Sequence, residues 1–263
     1  MVRKNIDSPR AGSSLRRVHA NAEAQWTAKR RKQIRGSLWW AVPAVLGGGA
    51  LGALATDRAY FGIGFGVLIL LALVDVATVK PWSVSIPGRR ASGEAATAKA
   101  LTPLGFHGYT ALHDRRLPPN VVPGVPPVDI EHLLIGPAGV FLLDSKNWSS
   151  GPKPQIFGKD LWVGREKRGD TLERLNTDAQ NLTAALGPRL PKGLTVGPVM
   201  VIHAKELPHT PRAFGNVTVL LPKHVTPVFK AMRQVMTATE ASALAASLDG
   251  LLAPKTGDRI GAS

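Results

Sequence analysis

Hydrophobic residues divide the chain into two continuous apolar runs and a longer region in which apolar and polar positions alternate. Residues 38–55 contain no charge, and residues 59–79 contain only Asp75. A hydrocarbon core about 30 Å thick is crossed by roughly 20 helical residues. Both runs meet that length, the first only just. The pattern therefore predicts a two-helix transmembrane hairpin over residues 37–80.

Two other interpretations of the apolar runs fit less well. A secretory signal peptide has a short basic region, whereas residues 1–36 carry ten Lys and Arg against two acids, and a second apolar run follows at once. A surface helix of a globular domain would show a polar stripe, which neither run has. Because basic residues flank the outer ends of the hairpin, we expect a multi-pass cell-membrane protein with both termini and the following domain in the cytoplasm.

Residues 81–90 contain turn residues and two arginines and predict a linker. The pattern from residue 91 to residue 253 is that of an α/β domain with its core in residues 91–204, followed by a disordered tail over 254–263. Helices are predicted over 93–105, 170–186 and 237–253, and strands over 107–114, 128–135, 140–146, 194–204 and 216–221. One helix separates the third and fourth strands, which permits a parallel crossover and hence a mixed sheet.

The second and third strands carry charged residues in an otherwise apolar hairpin. Alternate residues of a strand share one face, so Asp144 and Lys146 point the same way, and a turn at Gly136–Gly139 brings Glu131 opposite Asp144. Facing carboxylates repel each other, and a divalent cation such as Mg²⁺ reverses that sign. Lys146 would then orient a water molecule or steady a phosphate. The alternative is a weak salt bridge at an exposed strand end.

These residues also resemble the motifs of a known family, the nuclease-related domain (NERD) of the PD-(D/E)xK nuclease superfamily. The matching motifs are Gly93-Glu94, Ile130-Glu131-His132, Asp144-Ser145-Lys146 and Gln180. The resemblance covers about residues 91–204 and implies a restriction-endonuclease-like αβββαβ core. It expects aspartate where this chain has Glu131, and Asp129 on the same face could compensate.

The resemblance implies hydrolysis of phosphodiester bonds in nucleic acid, in DNA more than in RNA, by a membrane-anchored domain. Glu131 and Asp144 would bind Mg²⁺ or Mn²⁺, Lys146 would assist the attacking water, and Glu94 and Gln180 would support the site. The alternative keeps the fold without the chemistry, as a membrane-tethered module that binds nucleic acid or acts as a scaffold. His132 is expected on the opposite face, in a structural role.

The net charge of +15 favours polyanionic partners. Five basic residues would suit a phosphate backbone, although a solvated loop explains them equally well: Lys153, Lys159, Arg165, Lys167 and Arg168. In a third hypothesis the functional part is residues 1–36, which would contact anionic lipids electrostatically. Each cationic residue near such a surface contributes about 1 kcal/mol of binding. The chain contains no cysteine, which excludes thiolate chemistry and Cys-based zinc sites.

Overall fold

The computed structural model describes residues 12–30, 82–119 and 121–255, together with residues 43, 47, 50, 67 and 68. It divides into two compact units, one of residues 1–17 and 88–263 and one of residues 18–87. Within these described ranges no helix combines the length and the apolar character that crossing a bilayer requires. The predicted transmembrane hairpin falls almost entirely outside the described residues, as do positions 256–263 of the predicted tail.

The first unit contains a mixed seven-stranded sheet, a separate three-stranded sheet and surrounding helices. Helical residues 13–30 are α1, of which 13–17 belong to this unit. The other helices are α2 (Trp82–Leu101), α3 (Gly169–Leu186), α4 (Pro222–Ala231) and α5 (Ala238–Leu251), with short 3₁₀ helices at Thr102–His107 and Gly187–Arg189. The strands are β1 (Thr110–Arg116), β2 (Asp129–Gly136), β3 (Gly139–Asn147), β4 (Pro154–Phe157), β5 (Asp160–Val163), β6 (Glu166–Lys167), β7 (Val196–His203), β8 (Arg212–Phe214), β9 (Val217–Leu220) and β10 (Ala253–Pro254).

The large sheet has the strand order β10-β1-β2-β3-β7-β9-β8. Strand β2 is antiparallel to both β1 and β3, whereas β7 is parallel to both β3 and β9. A parallel pair needs a crossover connection, and α3 lies within it. The predicted α/β class, mixed sheet and order of helix, three strands, helix and strand are confirmed.

Apolar residues cover both faces of the sheet. On one face, Leu133 and Leu142 belong to the same buried cluster as Leu182 of α3 and Leu248 of α5. On the other face, the buried cluster joins residues of β2, β3 and β7 to the 3₁₀ helix and to α4: Leu134, Leu143, Val199, Leu104 and Phe229. Full burial of such a side chain stabilises the fold by about 1.5–3 kcal/mol, so these two clusters fix the sheet between its helices.

The helix α3 shows how the sequence pattern becomes packing. Its residues Leu172, Leu175, Ala179, Leu182 and Leu186 are buried, as their helical spacing predicts. They place one side of α3 on the sheet and leave the opposite side in solvent. This amphipathic helix is confirmed, and its position over β7 decides which of its polar residues lie near the strand ends.

Three predictions of local structure need correction. Residues 82–90, predicted as a linker, are helical and form the first half of α2, with Pro87 inside the helix. The helix α4 is absent from the prediction because Pro222 and Pro227 within ten residues resemble a loop. Most of residues 154–167, which lie outside the helices and strands predicted above, form the sheet β4-β5-β6, whose strands are too short for alternation to be recognised.

Gly136 at the end of β2 is required by the ring of Tyr109. A Cβ on Gly136 would lie 1.9 Å from Cδ1 of Tyr109, and the Tyr109 hydroxyl donates to the carbonyl of Phe229 at 2.8 Å. We expect Gly136→Ala to lower the free energy of unfolding by about 1–3 kcal/mol, because the buried ring must shift. Urea denaturation measures this, with Gly151→Ala as the matched control, since nothing lies within 4 Å of a Cβ there. Equal midpoints for both variants would contradict the packing described.

Candidate functional site

The register of the β2–β3 hairpin brings the two predicted carboxylates to one level. Paired residues run from Gly136 opposite Gly139 to His132 opposite Leu143, so Glu131 follows opposite Asp144. The backbone N–H of Ser145 donates to Oε2 of Glu131 at 2.8 Å. The hairpin register predicted from the sequence is therefore confirmed, and β3 itself holds the Glu131 carboxylate.

Lys146 forms an ion pair with Asp144 at the end of β3. Its Nζ lies 2.6 Å from Oδ2 of Asp144, and the two side chains are only 16% and 18% exposed. An exposed strand-end salt bridge contributes little because water screens it. This pair is mostly enclosed, so its electrostatic interaction is stronger than that of a surface pair.

Glu94 reaches the same region from α2. It is only 4% exposed. Burial, followed by the charge of Asp114, raises the pKa of Glu94 to about 7, while Lys255 and Arg90 lower it and Asp144 raises it further. Glu94 therefore gains or loses its charge near neutral pH, and the charge of Asp144 is one of the influences on its pKa.

Glu131 lies in the most strongly perturbed environment of the three carboxylates. Burial raises its pKa well above the usual value, and the charges of Asp144 and Glu94 raise it further. Lys146 and the N–H of Ser145 act in the opposite direction without cancelling that effect. Glu131 therefore keeps its proton to a higher pH than an exposed carboxyl does, and a cation bound beside it would lower its pKa again.

The donor chemistry can be compared with what a metal ion requires. Carboxylate oxygens are the ligands that Mg²⁺ and Mn²⁺ prefer, and Glu94, Glu131 and Asp144 supply them. In the described part of the chain, however, no group of three or more His, Cys, Asp or Glu side chains is arranged to hold a metal ion. The carboxylate donors are of the type that a hard divalent cation binds, and one of them, Asp144, is paired with Lys146.

Two other sequence-predicted acids and amides lie apart from this cluster. Gln180 is exposed on α3 and makes no hydrogen bond to the other candidate residues in the described chain, so its role stays a prediction. Asp129 is bound by Arg116 at 3.2 Å and by Lys255 at 3.1 Å. Its carboxylate is thus engaged at the edge of the sheet.

Asp178 is the residue of α3 that the sequence interpretation missed. Burial raises its pKa, Arg174 lowers it, and Asp144 and Asp129 raise it further. Asp178 therefore lies near the end of β3 that carries Asp144, on the same stripe of α3 as Leu175 and Leu182. A carboxylate within an apolar helical stripe was the signal that could have identified it.

A chain of hydrogen bonds lies behind the carboxylates, on the opposite face of the sheet. It links the side chains of His113 and His132 (2.8 Å), His132 and Ser145 (3.3 Å), Ser145 and Thr97 (2.8 Å), and Thr97 and His203 (2.8 Å). Burial lowers the pKa of His132 well below the usual value, so this ring is neutral. The predicted structural role of His132 agrees with this placement, and Ser145 connects the chain to Glu131.

Comparison with known proteins supports the resemblance deduced from the motifs. Residues 89–203 match the family model of the nuclease-related domain, NERD. Over these residues the chain is similar to the nuclease-related domain family. This agrees with the PD-(D/E)xK superfamily, and the matched range includes α2 from residue 89, β1 to β6, α3 and β7. No curated protein and no solved structure matches the chain.

The five basic residues predicted to contact nucleic acid lie between β3 and α3, within the range that the family model matches. Lys153, Lys159 and Arg165 are exposed. Lys167 pairs with Asp160 at 2.9 Å, and Arg168 pairs with Glu166 at 2.5 Å. The first three therefore present exposed positive charge beside the strands of the small sheet, on which the ring of Phe157 is also exposed.

Proposed function

We propose that the nuclease-related domain hydrolyses phosphodiester bonds in nucleic acid, in DNA more readily than in RNA, with Mg²⁺ or Mn²⁺ held by Glu131 and Asp144. The observation that carries this proposal is the position of Glu131, which lies opposite Asp144 with its carboxylate held by the Ser145 N–H, beside the ion pair of Asp144 and Lys146 and within electrostatic range of Glu94. Such a cluster costs free energy in the absence of a cation, and a structural role does not explain it.

The residues of the chain have separate parts in this proposal. Glu131 is oriented by the N–H of Ser145 at Oε2, and its other oxygen would help to hold the ion. With a cation held by Asp144, Lys146 would be released from that carboxylate, and its ammonium group could then steady the scissile phosphate. Glu94 has a pKa of about 7, so it can accept or release a proton at the pH of the reaction.

When bound, the ion supplies Lewis-acid activation of the phosphate and of the attacking water. In the reaction a water oxygen forms a bond to phosphorus and the ester bond to the leaving oxygen breaks. The longer side chain of Glu131, compared with the expected aspartate, is accommodated because β3 fixes one of its oxygens. Asp178 approaches the same strand end and would adjust the charge that the substrate meets.

The experiment that tests this function incubates the full-length protein with supercoiled plasmid, linear duplex DNA, single-stranded DNA and RNA. Reactions contain Mg²⁺, Mn²⁺ or EDTA, and the products are resolved by electrophoresis. We expect cleavage of DNA with either ion and none with EDTA. Cleavage that is equal with and without the ion would reject the assigned metal role, and no cleavage of any substrate would reject the nuclease.

The ion pair between Lys146 and Asp144 favours a second candidate, a nucleic-acid-binding module without catalysis. A lysine bound at 2.6 Å competes with a cation for the same carboxylate. Binding would then use Lys153, Lys159 and Arg165, and the affinity would fall steeply with salt. Salt-sensitive retention of labelled DNA without cleavage in the same assay identifies this alternative.

We also propose that residues 37–80 anchor the domain in the cell membrane, with both termini and the domain itself in the cytoplasm. The two uncharged or nearly uncharged runs and the basic residues outside them support this. Residues 1–36 would add contact with anionic lipids. Resistance of the protein to alkaline extraction from membranes tests the anchor independently of the nuclease.

A further inference from the structure

Residues near the start of the chain bind the domain at a carboxylate far away in sequence. Oγ of Ser13 donates to Oδ2 of Asp114, and the Ser14 N–H donates to the same oxygen at 2.8 Å. Oγ of Ser14 donates to Oδ1 of Asp114 at 2.6 Å. Three donors thus converge on one carboxylate, and both Ser14 and Asp114 are buried.

The backbone of Asp114 adopts an unusual conformation at this contact. This residue has a φ of 54°, although it lies within β1 and is not glycine. That conformation is uncommon for a residue with a side chain and costs free energy of the order of 1 kcal/mol or more. The hydrogen bonds from Ser13 and Ser14 offset this cost, and the negative charge lies at the positively polarised N-terminus of α1.

Gly12 extends the contact to Glu94. An added Cβ on Gly12 would lie 3.3 Å from Oε2 of Glu94 and 3.1 Å from the carbonyl oxygen of Ala91. Ala91 and Glu94 are both 4% exposed. The backbone at Gly12 therefore covers the face of α2 that carries the proposed supporting carboxylate. Among the described residues, the side chain of Glu94 has no hydrogen bond or ion pair.

The segment of residues 12–17 lies outside the region that the family model matches, whereas its partners Ala91, Glu94 and Asp114 lie inside it, because the match begins at residue 89. Residues 12–17 are nevertheless part of the same compact unit as residues 88–263. The surface around Asp114 and Glu94 thus has an occupant from another part of the chain.

We propose that Asp114 and the adjoining edge of α2 form a docking site for residues 12–17, and that this docked segment shields Glu94 from nucleic acid until it is released. The proposal rests on the nuclease function proposed above for its consequence, though not for the docking itself. Release would expose Glu94 without any change in the sheet.

Thiol labelling of the full-length protein tests the docking, since the chain has no native cysteine. Ala91→Cys places one thiol under Gly12, and its reaction with a maleimide is compared with and without the double substitution Ser13→Ala and Ser14→Ala. Those two changes remove two of the three donors to Asp114. We expect labelling about tenfold faster in the double variant, because each lost hydrogen bond favours the released segment.

The matched control is Ala179→Cys in the core on α3, which is 1% exposed. Its labelling should not change with the serine substitutions. Equal labelling of Ala91→Cys in both backgrounds would overturn the docking. Faster labelling of Ala179→Cys by the same factor would also overturn it, because the whole domain would then be opening.

Cleavage by the cysteine-free double serine variant separates this inference from the nuclease proposal. We expect the rate to rise several-fold over that of the unmodified chain. A change in labelling with no cleavage by any variant supports the docking and rejects the nuclease. Cleavage by both proteins with unchanged labelling supports the nuclease and rejects the docking.

Discussion

Glu131→Gln is expected to reduce Mg²⁺-dependent cleavage by about 100-fold or more, while the protein keeps its stability at pH 8. Glutamine has the same shape and still accepts the Ser145 N–H, which lies 2.8 Å from Oε2 in the parent. It cannot supply the negative charge that the metal needs. Loss of one preorganised electrostatic contact at a reacting centre typically costs a factor of about 10²–10³ in rate.

The stability of this variant distinguishes a functional carboxylate from a structural one. Burial and the charges of Asp144 and Glu94 hold the pKa of Glu131 well above its usual value. An uncharged glutamine avoids that repulsion, so unfolding at pH 8 should need the same or more urea. Glu173→Gln, on the exposed side of α3, is the matched control and should change neither property. Full activity of Glu131→Gln would contradict the assigned role.

The second large effect is a loss of stability as the pH rises from about 4.5 to 7. Glu94 has a folded pKa of about 7 against an ordinary value of 4.5. Below pH 4.5 the group is protonated in both states. Between the two values the unfolded chain ionises while the folded domain keeps its proton, so unfolding becomes easier. The shift corresponds to about 3 kcal/mol, fully lost by pH 8.

Urea denaturation at pH 5, 6, 7 and 8 measures this, with Glu94→Gln as the comparison. Histidines with lowered pKa values, such as His132, change stability in the opposite direction over this range. The informative quantity is therefore the difference in the free energy of unfolding between the two proteins. This difference should grow with pH, with the glutamine variant the more stable. Added Mg²⁺ should stabilise the parent at pH 8, since it binds the ionised site. A difference independent of pH would show that Glu94 titrates normally.

Those parts of the fold with a complete local pattern were predictable from the sequence. The hairpin was predictable because apolar residues alternate up to a turn, which fixed the position of Glu131 opposite Asp144. The helix α3 was predictable because five apolar residues follow its period over 18 residues. The helix α4 was not, since its two prolines outweigh its apolar residues in any local interpretation.

The candidate site was predictable only in its charged residues on the hairpin. Spacing could not show that Lys146 binds Asp144, because two rotatable side chains on one face have several possible partners. Asp178 was missed in favour of Gln180, although only Asp178 shares the stripe that packs on the sheet. The hydrogen-bond chain from His113 to His203 joins residues from four strands and one helix, and no sequence pattern records such contacts.

The C-terminal strand β10 determines how much of the chain is needed for an independent fold. It pairs with β1 beside Asp114, and the backbone N–H of Lys255 donates to the Asp114 carbonyl at 2.8 Å. A recombinant fragment trimmed to residues 89–203 would lose β9, α4, α5 and this edge strand, leaving much of both core clusters open to solvent. Workable boundaries therefore begin before Gly12 and extend past Lys255, well beyond the region by which the family is recognised.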